Sequence, residues 1–182
     1  MHESAITNAK RFFDTYAKYL DEGMVVDIGS QDVNGCLRTI CPDRFTYTGV
    51  DFQEGQNVDV VLTDAYELPF ADQSVDIVVS SSCLEHSEFF WLTWLEIVRI
   101  VKPHGLIYIN VPSEGQYHPY PVDCWRFRLD AATALMNWAN RNGYPTRLLE
   151  AYTDHVCPWK DFVAVYVGDE ANVPMYPKRI DL

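Results

Sequence analysis

The chain has no C-x-x-C pair, and its cysteines (Cys36, Cys41, Cys83, Cys124 and Cys157) are odd in number. That pattern predicts neither a zinc ribbon nor a closed disulfide framework; reduced thiols in a cytoplasmic protein are expected instead. The histidines also lack metal-ligand spacing along the chain, so no metal site is expected. No apolar run approaches the roughly 20 residues that span a bilayer, which argues against a membrane partner. The opening MHESAITNAKRFF has neither a long apolar stretch nor a small-residue cleavage site, so it does not read as a secretory signal. Basic residues are scarce, 14 against 26 acidic ones, for a net charge of −12. Proteins that grip phosphate backbones do so with Lys and Arg, so a nucleic-acid acceptor is argued against. A complete G-x-G-x-x-G is also missing, which demotes a nicotinamide oxidoreductase.

What is present is an alternation of short β-branched runs with helical patterns, in a composition that is 48% hydrophobic and 22% charged, ordinary for a globular domain. Ser4 to Leu20 places Ile6, Ala9, Phe12, Phe13, Tyr16 and Leu20 at helical spacing, with Gly23 as the stop. Strands are expected at Met24–Ile28, Tyr47–Val50, Val58–Val61, Val75–Val79 and Leu106–Val111, and alternation with helices implies parallel pairing. Asp130 caps a helix through Trp138, closed by Asn142–Gly143. Arg147–Tyr152 and Phe162–Val167 follow, joined by a loop too short for a crossover, so the last two strands should be antiparallel. From Glu88 to Lys102 a helix is apolar on nearly every side. It either packs its surplus under neighbouring loops, or offers a homodimer interface or a pocket wall. The expected organisation is one domain over 1–182. It comprises an N-terminal helix (1–23), a cofactor-binding core (24–111), an acceptor loop (112–128), a C-terminal helix and hairpin (129–168) and a tail (169–182).

In a doubly wound sheet, ligands bind beyond the carboxyl ends of the strands at the point where strand order reverses. Strand one ends in Asp27-Ile-Gly29-Ser30, where Gly29 admits a close backbone approach. Strand two ends in Asp51, an acid placed to accept from both hydroxyls of a ribose. Asp64-Ala65 follows strand three and could meet an adenine amino group. Ser80-Ser81-Ser82-Cys83 follows strand four, facing the far end of such a ligand. A strand-end acid can equally cap the next helix, but four such features in order are harder to obtain by chance.

These runs, with Gly49-Val-Asp-Phe52, Cys83-Leu-Glu-His86 and Arg99-Ile-Val-Lys-Pro-His-Gly-Leu106, resemble the class I S-adenosylmethionine-dependent methyltransferases, in particular the type 11 methyltransferase domain. The likeness is close over 24–111 and architectural beyond. It implies a Rossmann-like α/β sheet of seven strands, mostly parallel with an antiparallel C-terminal hairpin, and S-adenosylmethionine as cofactor. By the same resemblance Asp27 and Gly29 lie near the methionine portion, Asp51 on the ribose, Phe52 along the adenine and Asp64 at its amino group. One departure stands out. Gln31 and Val33 replace the usual glycines, so Asn34–Gly35 should make the turn.

The segment after strand five, His118 to Phe127, is rich in proline and aromatics and resembles loops of methyltransferases in polysaccharide and small-metabolite pathways. A hydroxyl acceptor needs its proton removed, and His118 is the first candidate base because imidazole titrates near neutrality. Asp123 could orient that ring or take the proton, and His86 is a second candidate near the methyl. Tyr120, Trp125 and Arg126 could form the acceptor wall, although Trp125 could equally anchor the loop and Arg126 pair with a nearby carboxylate. The reading is methyl transfer to a small molecule or glycan precursor, at oxygen. The alternative is a non-catalytic cofactor- or partner-binding module with the same fold.

Overall fold

The structure, a computed structural model, describes residues 2–156 and 158–182; Cys157 lies outside the described residues. Seven strands form one sheet: β1 (Gly23–Ile28), β2 (Phe45–Asp51), β3 (Val60–Val61), β4 (Val75–Ser81), β5 (Val101–Pro112), β6 (Arg147–Thr153) and β7 (Asp161–Val167). Their order is β3-β2-β1-β4-β5-β7-β6. The first five pair in parallel, while β7 runs antiparallel to both β5 and β6. The expected hairpin and parallel core are both present.

Strict side-chain alternation divides the core into two layers. Val25, Ile77, Val79, Leu106, Tyr108, Val163 and Val165 point to one face and meet Phe12, Phe13 and Tyr16 of helix α1 (Glu3–Tyr16). Val26, Val78, Ile107, Ile109, Ala164 and Tyr166 point to the other and meet α2 (Phe90–Ile100) and α3 (Ala131–Arg141). Polar tips within this second layer find partners, as burial demands. Trp94 Nε1 donates to Leu135 O at 2.9 Å, and the Tyr166 hydroxyl to Ala132 O at 3.0 Å.

Three expectations are corrected. The α-helical crossovers predicted between early strands are absent. A 3-10 turn, Leu37–Ile40, connects β1 to β2, and no α-helix separates β2 from β3 or β3 from β4. The polar, proline- and glycine-punctuated segments there offer no apolar stripe to lay on the sheet. Gly23 opens β1 rather than stopping a helix, the helical segment having ended at Tyr19, and the glycine leaves room for Asp76, whose Oδ2 would lie 2.3 Å from a Cβ there. The Glu88–Lys102 helix is shorter at both ends, since Val101 already pairs with Val75 as the first residue of β5. Part of its surplus apolar surface packs under the following loop, where Phe90 stacks edge-on with Trp125 and Phe127.

Arg99, on the polar stripe of α2, fastens the helix to the 68–72 loop. Its guanidinium donates to Leu68 O, Phe70 O and Asp72 Oδ1 while pairing with Glu96. A lysine offers no planar fork for this pattern. Arg99→Lys is expected to cost about 1–2 kcal/mol and lower the melting temperature by about 2–8 °C. An unchanged thermal melt would show the fastening to be dispensable.

Candidate functional site

A cavity of about 540 Å³ opens at the carboxyl ends of the parallel strands, beside the β1–β4 boundary where strand order reverses. Its walls come from the loops after β1, β2, β3, β4 and β5, with Trp159 and Asp161 from the start of β7 and His2 from the N-terminal segment.

Of the residues singled out from sequence, Gly29, Ser30, Asp51, Phe52, Ala65, Ser81, His86, His118 and Tyr120 all line this cavity. Asp51 is buried at the end of β2. One carboxylate oxygen accepts from the Gln31 amide at 3.1 Å and the other from the Gln53 amide at 3.2 Å, which leaves each a further lone pair. Phe52 follows, 47% exposed, with its ring free to cover a flat ligand. At the opposite wall, Ser81 Oγ and Glu85 Oε2 are buried without a hydrogen-bond partner. Orphaned buried polar atoms are costly and mark a place where a polar ligand belongs. Acidic groups at one end, an exposed aromatic ring beside them and an unpaired hydroxyl opposite suit a nucleoside bearing an amino-acid arm.

Gly29 has a different reason from the one its position suggests. Its φ is +80° and an added Cβ would lie 2.5 Å from both Cβ and Sγ of Cys83. The glycine is therefore demanded by the loop after β4 as well as by its left-handed backbone. Gln31 and Val33 are accommodated as expected: the turn falls at Gly35, φ +107°, whose amide donates to Asp32 Oδ1 at 2.7 Å. The amide of Asp32 is in turn held by Gln56 O at 2.9 Å.

Five residues lie off the cavity wall, Asp27 beneath it and four others beside it. Asp64 is exposed and accepts from the amide of Tyr66 at 2.8 Å, closing its own turn. Asp123 sits behind His118, accepting from its backbone amide at 2.8 Å and ion-paired with Arg126. The Arg126 guanidinium holds the Asp123 carboxyl well below the usual carboxylate range. Trp125 and Arg126 face a separate groove with Trp91 and Trp138. As geometry stands, of the proposed acceptor wall only Tyr120 reaches the cavity.

Asp27 is buried beneath the glycine loop, where its carboxylate accepts from the Tyr47 hydroxyl. Burial pushes its pKa up to about 7, the Tyr47 bond opposing this and the nearby Asp51 adding to it. The folded value lies above the unfolded 3.8, so between those limits the unfolded chain releases a proton that the folded chain keeps. Stability tied to Asp27 is thus highest below the unfolded value and falls as pH rises to the folded one. Against Asp27→Asn, the wild type is expected to lose about 3 kcal/mol between pH 4.5 and 7.5. Urea denaturation of both proteins measures it, and parallel stability curves would refute it.

Sequence reasoning passed over Glu85, Tyr66, Trp159, Asp161 and His2, all on the cavity wall. Glu85 carried a weak signal, an acid between Leu84 and His86 just past a buried strand. Trp159 and His2 carried none, since only folding stacks His2 on Trp159 and sets Trp159 at a tilt against His118. Gly115, φ +108°, makes room for that tryptophan, for a Cβ there would lie 2.1 Å from the indole.

The strand order, the antiparallel last pair and the cavity at the switch point define the class I methyltransferase fold. Residues 26–109 match a family model described as a methyltransferase domain. It is 30% identical over 107 residues to an uncharacterized methyltransferase of Mycobacterium tuberculosis, covering 58% of this chain and 41% of that one. A Mycobacterium marinum methyltransferase is 33% identical over 81 residues, covering 44% and 31%. The chain thus spans well under half the length of these curated relatives. Among solved structures it is similar to the Burkholderia thailandensis 1,6-didemethyltoxoflavin-N1-methyltransferase holding 1,6-didemethyltoxoflavin and S-adenosylhomocysteine. That match has a TM-score of 0.70 and 15% identity, over 92% of this chain and 80% of that one. The cyclase SpnF shares the fold as well, with a TM-score of 0.60 and 16% identity, over 88% and 80%.

Proposed function

We propose that the protein transfers the methyl group of S-adenosylmethionine to a small molecule or glycan precursor, at a hydroxyl oxygen. The observation that carries this reading is a continuous cavity with Asp51 and Phe52 at one end and His86, His118 and Tyr120 at the other. A nucleoside sulfonium seated on the first group would direct its methyl toward the second. Asp51 would accept from the ribose hydroxyls, Phe52 would cover the adenine, and Gly29, Ser30 and Ser81 would surround the amino-acid arm. Asp27 would support the loop from below.

The cofactor, when bound, supplies an electrophilic methyl on a positively charged sulfur; this chain's residues supply position and exclude water. Holding an acceptor oxygen in line with the methyl is worth roughly 7–11 kcal/mol. His118, set against Asp123 and in tilted ring contact with Trp159, is the group that makes the hydroxyl reactive, with His86 beside it. The aromatic, acid-lined acceptor end suits a neutral, polyhydroxylated or flat small molecule better than a polyanion. Leu92 on α2 and Phe89 just before it, both exposed, are what that segment would offer a second copy of the chain.

Calorimetry with S-adenosylhomocysteine tests the cofactor half, with one molecule bound per chain expected. Methyl-labelled cofactor incubated with a metabolite extract tests the transfer, with label expected in small polar products. A folded protein that binds no S-adenosylhomocysteine would defeat the proposal. Binding without transfer to any acceptor would favour a non-catalytic module.

A further inference from the structure

We propose that Glu85, His86 and His118 form a binding site for one divalent transition-metal ion, placed to take an acceptor oxygen as a further ligand. One ligating atom from each of the three lies within 4.8 Å of the others, and all three residues line the cavity. Glu85 and His86 belong to the 3-10 turn after β4, whereas His118 comes from the loop after β5.

The hydrogen bonding around the cluster is that of a metal site's outer partners. His86 Nδ1 is within hydrogen-bond distance of Val122 O, and His118 Nδ1 lies 3.1 Å from Gln116 O. A carbonyl only accepts, so each Nδ1 carries the proton and each Nε2 keeps its lone pair. Asp123 Oδ2, 3.3 Å from His118 Nδ1, strengthens that assignment; the Arg126 guanidinium, 3.4 Å from the same nitrogen, only donates and spends its hydrogens on Asp123 Oδ2 at 2.8 Å and on Gln116 O at 3.0 Å. Metal-bound histidines nearly always have their second nitrogen fixed in this way. Glu85 is 1% exposed and its Oε2 has no partner, although His86 Nε2 lies 3.7 Å from Oε1. Three ligating groups thus lie within reach of one another beside a buried carboxylate oxygen that has no partner, an arrangement that a cation satisfies.

Two imidazoles and one carboxylate with an open position form a ligand set of catalytic zinc. Bond lengths of 2.0–2.2 Å place tetrahedral ligands about 3.4 Å apart, so the cluster must tighten on loading. His118, with a third of its side chain exposed, has the freedom to do so. A cation there would polarise the acceptor hydroxyl and explain how His118 acts on it, as a ligand rather than by taking the proton itself. That last role rests on the proposed methyl transfer; the metal site itself does not.

The test uses the full chain freed of metal by chelation and then titrated with Zn²⁺ in a calorimeter and with Co²⁺ by visible absorption. One ion per chain is expected, with the intense bands of low-coordinate Co²⁺. Glu85→Gln and, on the exposed loop, His118→Gln should each weaken binding at least about 100-fold. S-adenosylhomocysteine affinity should be unchanged in the His118 variant. No stoichiometric ion in the wild type, or undiminished binding in the His118 variant, overturns the site. Metal binding in a protein that ignores S-adenosylhomocysteine would keep the site and sink the methyl-transfer reading instead.

Discussion

Asp51→Ala is expected to lower the affinity for S-adenosylhomocysteine by about 10²- to 10⁴-fold. Each oxygen of this buried carboxylate spends one lone pair on a backbone amide, Gln31 or Gln53, and keeps another toward the cavity. Two hydrogen bonds from ribose hydroxyls to a charged acceptor contribute roughly 1.5–3 kcal/mol each. Their combined loss gives that range, since each 1.4 kcal/mol is about tenfold in affinity. The alanine also frees the Gln31 amide and with it one anchor of the β1 loop, so Asp51→Asn separates the two effects. It retains one acceptor oxygen and should fall between alanine and wild type. Calorimetry on proteins with matching thermal melts is the measurement. Equal affinity in Asp51→Ala and wild type would mean that the donor is held elsewhere.

How much of this was legible beforehand depended on the range of the interaction concerned. The strands announced themselves because β-branched runs such as Val25-Val26 and Val75-Asp-Ile-Val-Val79 need only their own alternation and burial to be recognised. The carboxyl-end positions of Asp51 and Ser81 followed from the strands. Connections were harder. A helical crossover is the default between parallel strands, yet the 3-10 turn at Leu37–Ile40 suffices because Arg38 holds it down, bonded to Asn57 and Asp59. Nothing local to 36–41 reports those distant partners. The reason for Gly29 was likewise hidden, for the side chain that forbids a Cβ there, Cys83, lies 54 residues away. The acceptor loop is legible only by its composition and by its resemblance to methyltransferase loops. Composition placed His118 and Tyr120 on the cavity but could not tell which neighbours of Trp125 and Arg126 would turn them toward a separate groove.

That groove raises the question of which loop residues matter to turnover, and His118→Ala gives the sharpest answer. Turnover is expected to fall by about 10²- to 10⁴-fold, the range lost when a group that activates the acceptor hydroxyl, directly or through a bound cation, is removed. S-adenosylhomocysteine affinity should stay within a factor of about two, because the cavity ends holding Asp51 and His118 are built from different loops. Trp125→Phe keeps an aromatic ring against Phe90 and Trp91, removing only the indole donor to Ser87 O at 2.9 Å. It should leave turnover within about threefold, as a truncation on the far side of the loop costs packing rather than positioning. The contrast matters more than either value. If His118 serves only to seat Trp159 against the loop, both variants should lose activity through a weakened acceptor site, with KM rising and kcat preserved. If it acts on the acceptor hydroxyl, the His118 variant alone loses kcat, and its KM for the acceptor stays near that of the wild type. Single-turnover measurement with labelled cofactor separates the two, because it reads the transfer step without product release. Preserved kcat in His118→Ala would remove this histidine from the chemistry and leave it a wall of the pocket.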